Sequence, residues 1–198
     1  MRGITFATIA LLVPAMAQAQ ATAVAGGSPD HIDLSLPVTA SVQAQCSFAS
    51  GTAPNGSFAA ADILAGFTHD FGFAMQCNAP CRVAVQSANG GLYVSMGSPP
   101  AGYANLAHYS ATLNLAGDVG VTSVNAICDS ATLTASAATP CSFRGPASAT
   151  QGLKLNGTAS NALGSYLRVS APIYSGSVTL IASSAYTDTL TVTLSAAL

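Results

Sequence analysis

The sequence predicts an all-β protein built as a β-sandwich, and three of its features support that fold class. Hydrophobic side chains alternate with polar ones in several segments, as in strands with one buried face. Glutamate is absent, and lysine and arginine together number five in 198 residues, whereas threonine, valine, serine and glycine are abundant. This composition favours strands and turns over helices. Short predicted strands separated by glycine, proline and asparagine turns are typical of sandwiches.

The first 19 residues have the pattern of a secretory signal peptide. Arg2 supplies a positive charge, residues 4–13 are largely apolar, and small residues precede Gln20 at cleavage spacing. We expect cleavage after Ala19, with Ala17 as the alternative. The apolar run has about ten residues, whereas a membrane-spanning helix needs roughly twenty. We therefore expect an exported protein with no membrane insertion.

The remaining chain has the length of a single domain and very little charge. About 180 residues are enough for one domain with a sizeable core. The formal net charge is −2 and charged residues make up 6% of the chain. Such a chain cannot attract nucleic acid or anionic lipid electrostatically. Half of the residues are hydrophobic, which argues against disorder.

The cysteines indicate an oxidising compartment. All five lie beyond the predicted signal peptide: Cys46, Cys77, Cys81, Cys128 and Cys141. Disulfides form outside the cytoplasm. A zinc site would need paired cysteines or cysteine and histidine clusters. No second pair accompanies Cys77 and Cys81, and the three histidines (His31, His69 and His108) are scattered. We expect no metal and no cofactor, and one cysteine without a partner in the chain.

The strongest alternation runs from Ile32 to Cys46. Every even position in this segment is apolar and every odd one is polar or proline. About fifteen residues at roughly 3.3 Å each would span on the order of 50 Å, far more than a usual strand. Pro37 removes a backbone donor in the middle of the segment. We therefore divide it into a free arm that ends at Pro37 and a first domain strand that begins at Val38.

Seven further strands are predicted downstream. They are Thr68 to Cys77, Arg82 to Ser87, Tyr109 to Leu115, Val119 to Ile127, Tyr166 to Ala171, Val178 to Ala182, and Thr187 to Ser195. The last alternates most clearly, with leucine and valine on one face and threonine on the other. Seven or eight short strands at this spacing predict a β-sandwich.

Four motifs occur in a suggestive order along the mature chain. They are Val38-Thr39-Ala40-Ser41-Val42 leading into Cys46, Phe73-Ala74-Met75-Gln76-Cys77 followed by Arg82-Val83-Ala84-Val85, Tyr109 within a strand, and the closing Tyr186-Thr187-Asp188-Thr189-Leu190-Thr191-Val192. This order resembles the spore coat protein U domain, a family that includes the pilin subunits of archaic chaperone-usher pili. Cys81, Cys128 and Cys141 depart from the family pattern, and residues 118–152 are hard to align with it.

The resemblance implies a structural role rather than catalysis. Members of the family have an immunoglobulin-like sandwich that lacks its final strand. A periplasmic chaperone, and later the N-terminal arm of the next subunit, fills the open groove by strand addition. Here the arm would be residues 20–37 and the domain residues 38–198. The donated side chains would be those of Ile32, Leu34, Leu36 and Val38.

The resemblance also implies partners and a disulfide. The partners would be other copies or related pilin subunits, a periplasmic chaperone and an outer-membrane usher. The protein would be exported through the periplasm to the cell surface, in a pilus or a coat. The family framing implies a bond between Cys46 and Cys77. We expect a second bond between Cys128 and Cys141, across about a dozen residues, which would leave Cys81 as a free thiol.

The function predicted from these observations is a fibre subunit assembled by donor-strand exchange, serving adhesion or biofilm formation. The alternative is a tip adhesin, or a secreted coat or binding protein, of the same fold. Enzymatic activity is not expected, because no catalytic motif occurs. His69 does precede Asp70, but neighbours in a strand point to opposite faces, so these two side chains would not act together.

Overall fold

The computed structural model describes residues 37–197. Residues divide into two compact units, Met1–Gln43 and Ala44–Leu198. The described part of the first unit, residues 37–43, contains no regular secondary structure. The second unit is all-β and holds every strand described below. Within the described residues no helix is long and apolar enough to cross a membrane.

Fourteen strands and two short 3-10 helices make up the second unit. The strands are β1 (Cys46–Phe48), β2 (Phe67–Phe73), β3 (Met75–Cys77), β4 (Cys81–Ser87), β5 (Leu92–Tyr93), β6 (Tyr103–Ala104), β7 (Leu106–Ala107), β8 (Ser110–Leu115), β9 (Val124–Asp129), β10 (Leu153–Leu155), β11 (Ala159–Ser160), β12 (Ser165–Ala171), β13 (Thr179–Leu180) and β14 (Leu190–Ala196). The 3-10 helices are Ile63–Ala65 and Ser130–Leu133. This content agrees with the predicted all-β sandwich class.

Three sheets carry most of the structure. The largest is antiparallel, with the strand order β2-β12-β8-β9. A second sheet has the order β10-β4-β14, and a third has the order β1-β3-β11. Two short pairs, β13 with β6 and β5 with β7, are added to these. Among the described strands, β2 and β14 are therefore each at the edge of a sheet.

The core joins apolar side chains from all three main sheets. Val83 and Val85 of β4, Leu113 of β8 and Leu167 of β12 are buried in one cluster, which also contains Met75 of β3. The side chains alternate along β8 and β12, whose inward positions are buried and whose outward positions are half-buried. Because apolar groups from several sheets share one interior, the hydrophobic effect holds these sheets together.

The predicted first domain strand, which begins at Val38 in the alternation that runs to Cys46, is wrong for residues 38–45. The chain has no strand at residues 37–45, and the side chains of Val38 and Val42 are 90% and 87% exposed. Among the described residues, the first strand begins only at Cys46, which pairs with Cys77. Strand β3 ends there, and Asn78 closes the pairing because it exchanges hydrogen bonds with Gln45 through its backbone N–H and its side-chain oxygen. The alternation of apolar and polar residues extends to residues before Cys46, but β3 ends at Cys77 and supplies no strand partner for them.

The predicted strand from Thr68 to Cys77 is broken at Ala74. Strand β2 lies in the four-stranded sheet, whereas β3 lies in the sheet with β1 and β11. Between them, the N–H of Ala74 donates to Thr52 and its carbonyl accepts from Ala49. The chain thus changes sheets at this residue, which is how sandwich corners are commonly built.

The predicted strand from Val119 to Ile127 begins late, at Val124. Asp118 explains the difference, because its carboxylate accepts hydrogen bonds from the hydroxyl of Thr158 and the N–H of Ser160, both at 2.6 Å. Its carbonyl also accepts from the N–H of Val121 in a turn. The β-branched residues that suggested a strand here lie in a loop fixed by this aspartate. The five strands β5, β6, β7, β10 and β11 were not predicted, and each has only two or three residues.

Candidate functional site: an apolar groove beside the last strand

A groove of about 740 Å³ lies beside β14. Phe67 and Phe71 of β2, Leu167 of β12, and Leu190 and Val192 of β14 contribute apolar side chains to its lining. The rest of the lining consists of Pro54, residues 56–63, Leu92, Tyr109, Val169, Ser183, Ser184 and residues 186–189. The groove therefore lies between the edge strand of one sheet and the edge strand of another.

The burial of β2 decreases towards the groove. Phe73 is buried, whereas Phe71, His69 and Phe67 are half-buried, although all four occupy the inward positions of the strand. Leu190 and Val192 are likewise half-buried and pack against the core cluster. In a complete sandwich, the inward-facing side chains of each sheet are covered by side chains of the opposite sheet. The partial exposure of this set means that the described residues leave the interior incomplete along the groove.

The outer edge of β14 presents backbone groups along the same groove. The carbonyl of Thr189 accepts from the N–H of Ala88, and the N–H of Ala197 donates to Pro80, so the odd-numbered residues face β4. Backbone direction alternates along an antiparallel strand. The N–H and C=O groups of Leu190 and Val192 therefore face away from β4, and no described strand pairs with them. An edge of this kind is a template for an added strand.

The lining of the groove also includes the polar side chains of Tyr109 and Asp188. The Asp188 carboxylate accepts hydrogen bonds from the hydroxyls of Ser87 and Tyr109, both at 2.6 Å. It also accepts from the backbone N–H groups of Asn89 at 3.0 Å and Thr189 at 2.8 Å. Burial, together with the hydrogen bond to Asp188, raises the pKa of Tyr109 well above its ordinary value. The network fastens the start of β14 to the end of β4 and to the residue before β8.

Aromatic side chains line the side of the groove formed by β2. The ring of Phe58 stacks on that of His69 at 4.4 Å and contacts Phe67 at 5.8 Å between centroids. His69 also makes an edge contact with Phe71. Asp70 points to the opposite face, where it accepts two hydrogen bonds from Arg168 at 2.6 and 2.8 Å. His69 and Asp70 are thus separated as expected, and their arrangement does not form a catalytic pair.

The predicted site residues are only partly within the described chain. Ile32, Leu34 and Leu36 lie outside the described residues, and Val38 is exposed without a strand. The structure joins Cys46 to Cys77 and Cys128 to Cys141, with Cys81 as a buried thiol. These are the expected pairs.

The sequence did not predict which residues line the groove, or that Asp188 accepts four hydrogen bonds there. Asp188 belongs to the closing motif that was singled out, but its role was not foreseen. One available signal was an aspartate directly before a strand of otherwise apolar and threonine residues, a position where a carboxylate can bond the backbone of its neighbours. Phe67 and Phe58 gave no signal, because only the fold brings them together.

Comparisons with protein-family models, curated proteins and solved structures found no match to this chain.

Proposed function

We propose that this protein is a structural subunit of a surface fibre, in which the groove beside β14 accepts an extended segment from the arm of another copy. The observation that supports this most directly is the coincidence of an apolar groove with an unpaired strand edge among the described residues. Leu190 and Val192 offer two N–H and two C=O groups on the same side as the groove. Strand addition uses such groups for affinity and alternate side chains for specificity.

The arm has the side-chain pattern that this groove requires. Ile32, Leu34, Leu36 and Val38 are spaced two residues apart, so in an extended conformation they all point the same way. Burying four such side chains would contribute on the order of 6 to 12 kcal/mol in total, at roughly 1.5 to 3 kcal/mol each. That value is comparable with the whole stability of a domain. In this proposal the domain is an immunoglobulin-like sandwich that a donated strand completes.

The exposure of Val38 suits donation better than internal use. Its side chain is 90% exposed, so burial of this side chain against another copy would remove apolar surface from water. Donation from one copy to the next is heterologous and does not close, so it produces a fibre rather than a dimer. A periplasmic chaperone and an outer-membrane usher are the partners that this assembly would use, with adhesion or biofilm formation as its purpose.

The decisive experiment changes the donor and leaves the acceptor intact. We expect the double substitution Leu34→Asp with Leu36→Asp to abolish fibres while soluble subunit accumulates with its chaperone, because two carboxylates would enter an apolar groove without partners. The matched control is Ser35→Asp, on the opposite side of the arm, which should polymerise normally. The measurement is the ratio of fibre to monomer in surface extracts. Normal fibres from the double variant would refute donor-strand exchange.

A peptide provides an independent test of the acceptor. We expect a synthetic peptide of residues 31–40 to raise the melting temperature of the purified full chain and to give saturable binding. The same peptide carrying both aspartates should do neither. No effect of the unmodified peptide would mean that the groove does not accept this segment.

A secreted binding protein for a small apolar ligand is the second candidate. The volume of about 740 Å³ and the mixture of apolar and polar side chains in the lining suit such a ligand, because binding pockets commonly combine an apolar lining with a few polar groups. Saturable binding of a fluorescent fatty acid that the peptide of residues 31–40 does not displace would favour this function over fibre assembly.

A further inference from the structure

Three cysteine sulfurs meet in the interior of the second unit. The Sγ atoms of Cys46, Cys77 and Cys81 all lie within 4.8 Å of one another. Pairing of β1 with β3 places Cys46 opposite Cys77, and a turn of three residues then returns the chain to Cys81 at the start of β4. Cys46 and Cys77 form a disulfide, while Cys81 is a thiol. A free thiol is therefore held beside an existing disulfide.

We propose that these residues form a thiol–disulfide exchange site, at which Cys81 replaces Cys46 as the partner of Cys77. The Cys81 thiol gives its proton to water or a buffer base, and the resulting thiolate attacks Sγ of Cys77. The bond between Cys77 and Cys81 forms as the bond between Cys46 and Cys77 breaks. Cys46 leaves as a thiolate and takes up a proton. The chain holds the same number of disulfides before and after, so no oxidant or reductant is consumed.

The relative burial of the three residues selects Cys77 as the sulfur under attack. Cys77 is 3% exposed and Cys81 is 0% exposed, whereas Cys46 is half-buried. A departing thiolate is stabilised by contact with water, so exchange favours loss of the most exposed sulfur, that of Cys46. Only three residues separate Cys77 from Cys81, which keeps these two sulfurs close whenever β1 moves.

The fold keeps the exchange reaction slow. Cys81 pairs in register with Ala196 of β14 and with Leu155 of β10. Burial also raises the pKa of the Cys81 thiol to about 11, so at neutral pH the nucleophilic thiolate is scarce. Separation of the end of β14 from β4 would expose Cys81 to water and base. We expect exchange to proceed through this local opening rather than from the closed structure.

Exchange among these three cysteines would occur whatever fills the groove. It concerns the bond at the beginning of the domain, and its product carries a half-buried thiol at Cys46, two residues after the first residue of the second unit. The three cysteines in the oxidised chain are poorly suited to bind a metal ion. Two of the three sulfurs are already bonded to each other, and cysteine binds metals well only as a thiolate.

The test follows the position of the free thiol. The oxidised full chain is incubated at pH 8.5 without added thiol, in urea concentrations below its unfolding midpoint, and is then quenched with acid. Thiols are alkylated with a maleimide at low pH. Trypsin would leave all three cysteines in one peptide, because Arg82 is the first tryptic site after Arg2. An acid protease that cuts beside Phe48 and Phe73 separates Cys46 from the other two.

We expect the label to move from Cys81 to Cys46, with a disulfide inside the peptide that holds Cys77 and Cys81. The rate should rise about tenfold or more between no urea and the highest concentration below the midpoint, since local opening becomes more frequent. A Cys81→Ala variant should never expose Cys46 to the label. If that variant does not fold, the unmodified chain alone still tests the proposal.

Three results would overturn the exchange site. Label confined to Cys81, at urea concentrations where that thiol reacts fully, would mean that no exchange occurs. Label on Cys77 with a bond between Cys46 and Cys81 would refute Cys77 as the sulfur attacked. Label appearing equally on Cys128 or Cys141 would indicate general reshuffling of the unfolded chain rather than a dedicated site.

Discussion

Asp188 offers the most direct test of how the wall of the groove is held. Replacing it by alanine removes the acceptor of four hydrogen bonds. Two of the four donors belong to the exposed residues Asn89 and Thr189, whose backbone N–H groups can bond to water instead. The other two donors, the hydroxyls of Tyr109 and Ser87, belong to residues that are 5% and 1% exposed, so water does not easily replace their partner.

The expected cost follows from those two buried donors. A hydrogen bond to a charged group contributes about 1.5 to 3 kcal/mol, so Asp188→Ala should lower the free energy of unfolding by about 3 to 6 kcal/mol. Asp188→Asn keeps the shape and one oxygen, and both hydroxyls can rotate to accept from its amide. We expect that variant to cost about 1 to 2 kcal/mol. Both changes in the free energy of unfolding are measured by urea denaturation, and the m-value of each variant is compared with that of the unmodified chain.

Two controls make the result interpretable. Thr191→Val changes an exposed position of the same strand and should alter stability by no more than about 0.5 kcal/mol. A double-mutant cycle with Tyr109→Phe isolates the bond between the two side chains, and we expect a coupling energy of about 1 to 3 kcal/mol. A loss below about 1 kcal/mol for Asp188→Ala, or a coupling energy near zero, would show that the network does not stabilise β14.

Three further predictions concern charges and cysteines. Arg168→Ala should raise the pKa of Asp70 towards its ordinary 3.8, because the hydrogen bond from Arg168 is the main cause that lowers it; a carboxyl titration by NMR measures this, and an unchanged pKa would contradict it. Burial raises the pKa of Cys81 from 9.0 to about 11, so the unfolded chain ionises first and stability should fall between about pH 9 and 11, by at most ~2 to 3 kcal/mol. A Cys81→Ala variant should lose that part of the pH dependence, and an identical slope would count against it. Removing Cys128 and Cys141 together should cost about 2 to 4 kcal/mol, measured by denaturation beside the unmodified chain; no loss would mean that this loop is already ordered without its bond.

The sequence could predict the strands in which the alternating segment pairs with another strand along most of its length. Those beginning at Cys81, Ser110, Ser165 and Leu190 were each placed within three residues. Their inward side chains are continuous apolar sets, and a period of two residues is a local property that any strand displays before it pairs. Five strands of two or three residues were not predicted, since so few side chains establish no period.

Alternation of apolar and polar residues does not produce a strand where the partner strand ends. Residues 38–45 alternate as regularly as any in the chain, yet they form no strand, because β3 stops at Cys77. The break at Ala74 has a similar cause, since its backbone bonds to residues 49 and 52 and not to β12. In both places the hydrogen-bond partners decide the outcome, and they come from distant parts of the sequence.

The sequence by itself determined the all-β class, the position of most long strands, the odd number of cysteines and the apolar alternation of residues 32–38. Each of these depends on neighbouring residues alone. Only the tertiary structure decided that Phe67, Leu167 and Val192 line one groove, that Asp188 meets Tyr109, and that Cys81 lies beside a disulfide. These contacts join residues up to 125 positions apart, from Phe67 to Val192. Alternation specifies which face of a strand is buried, but it carries no information about which other strand will cover that face.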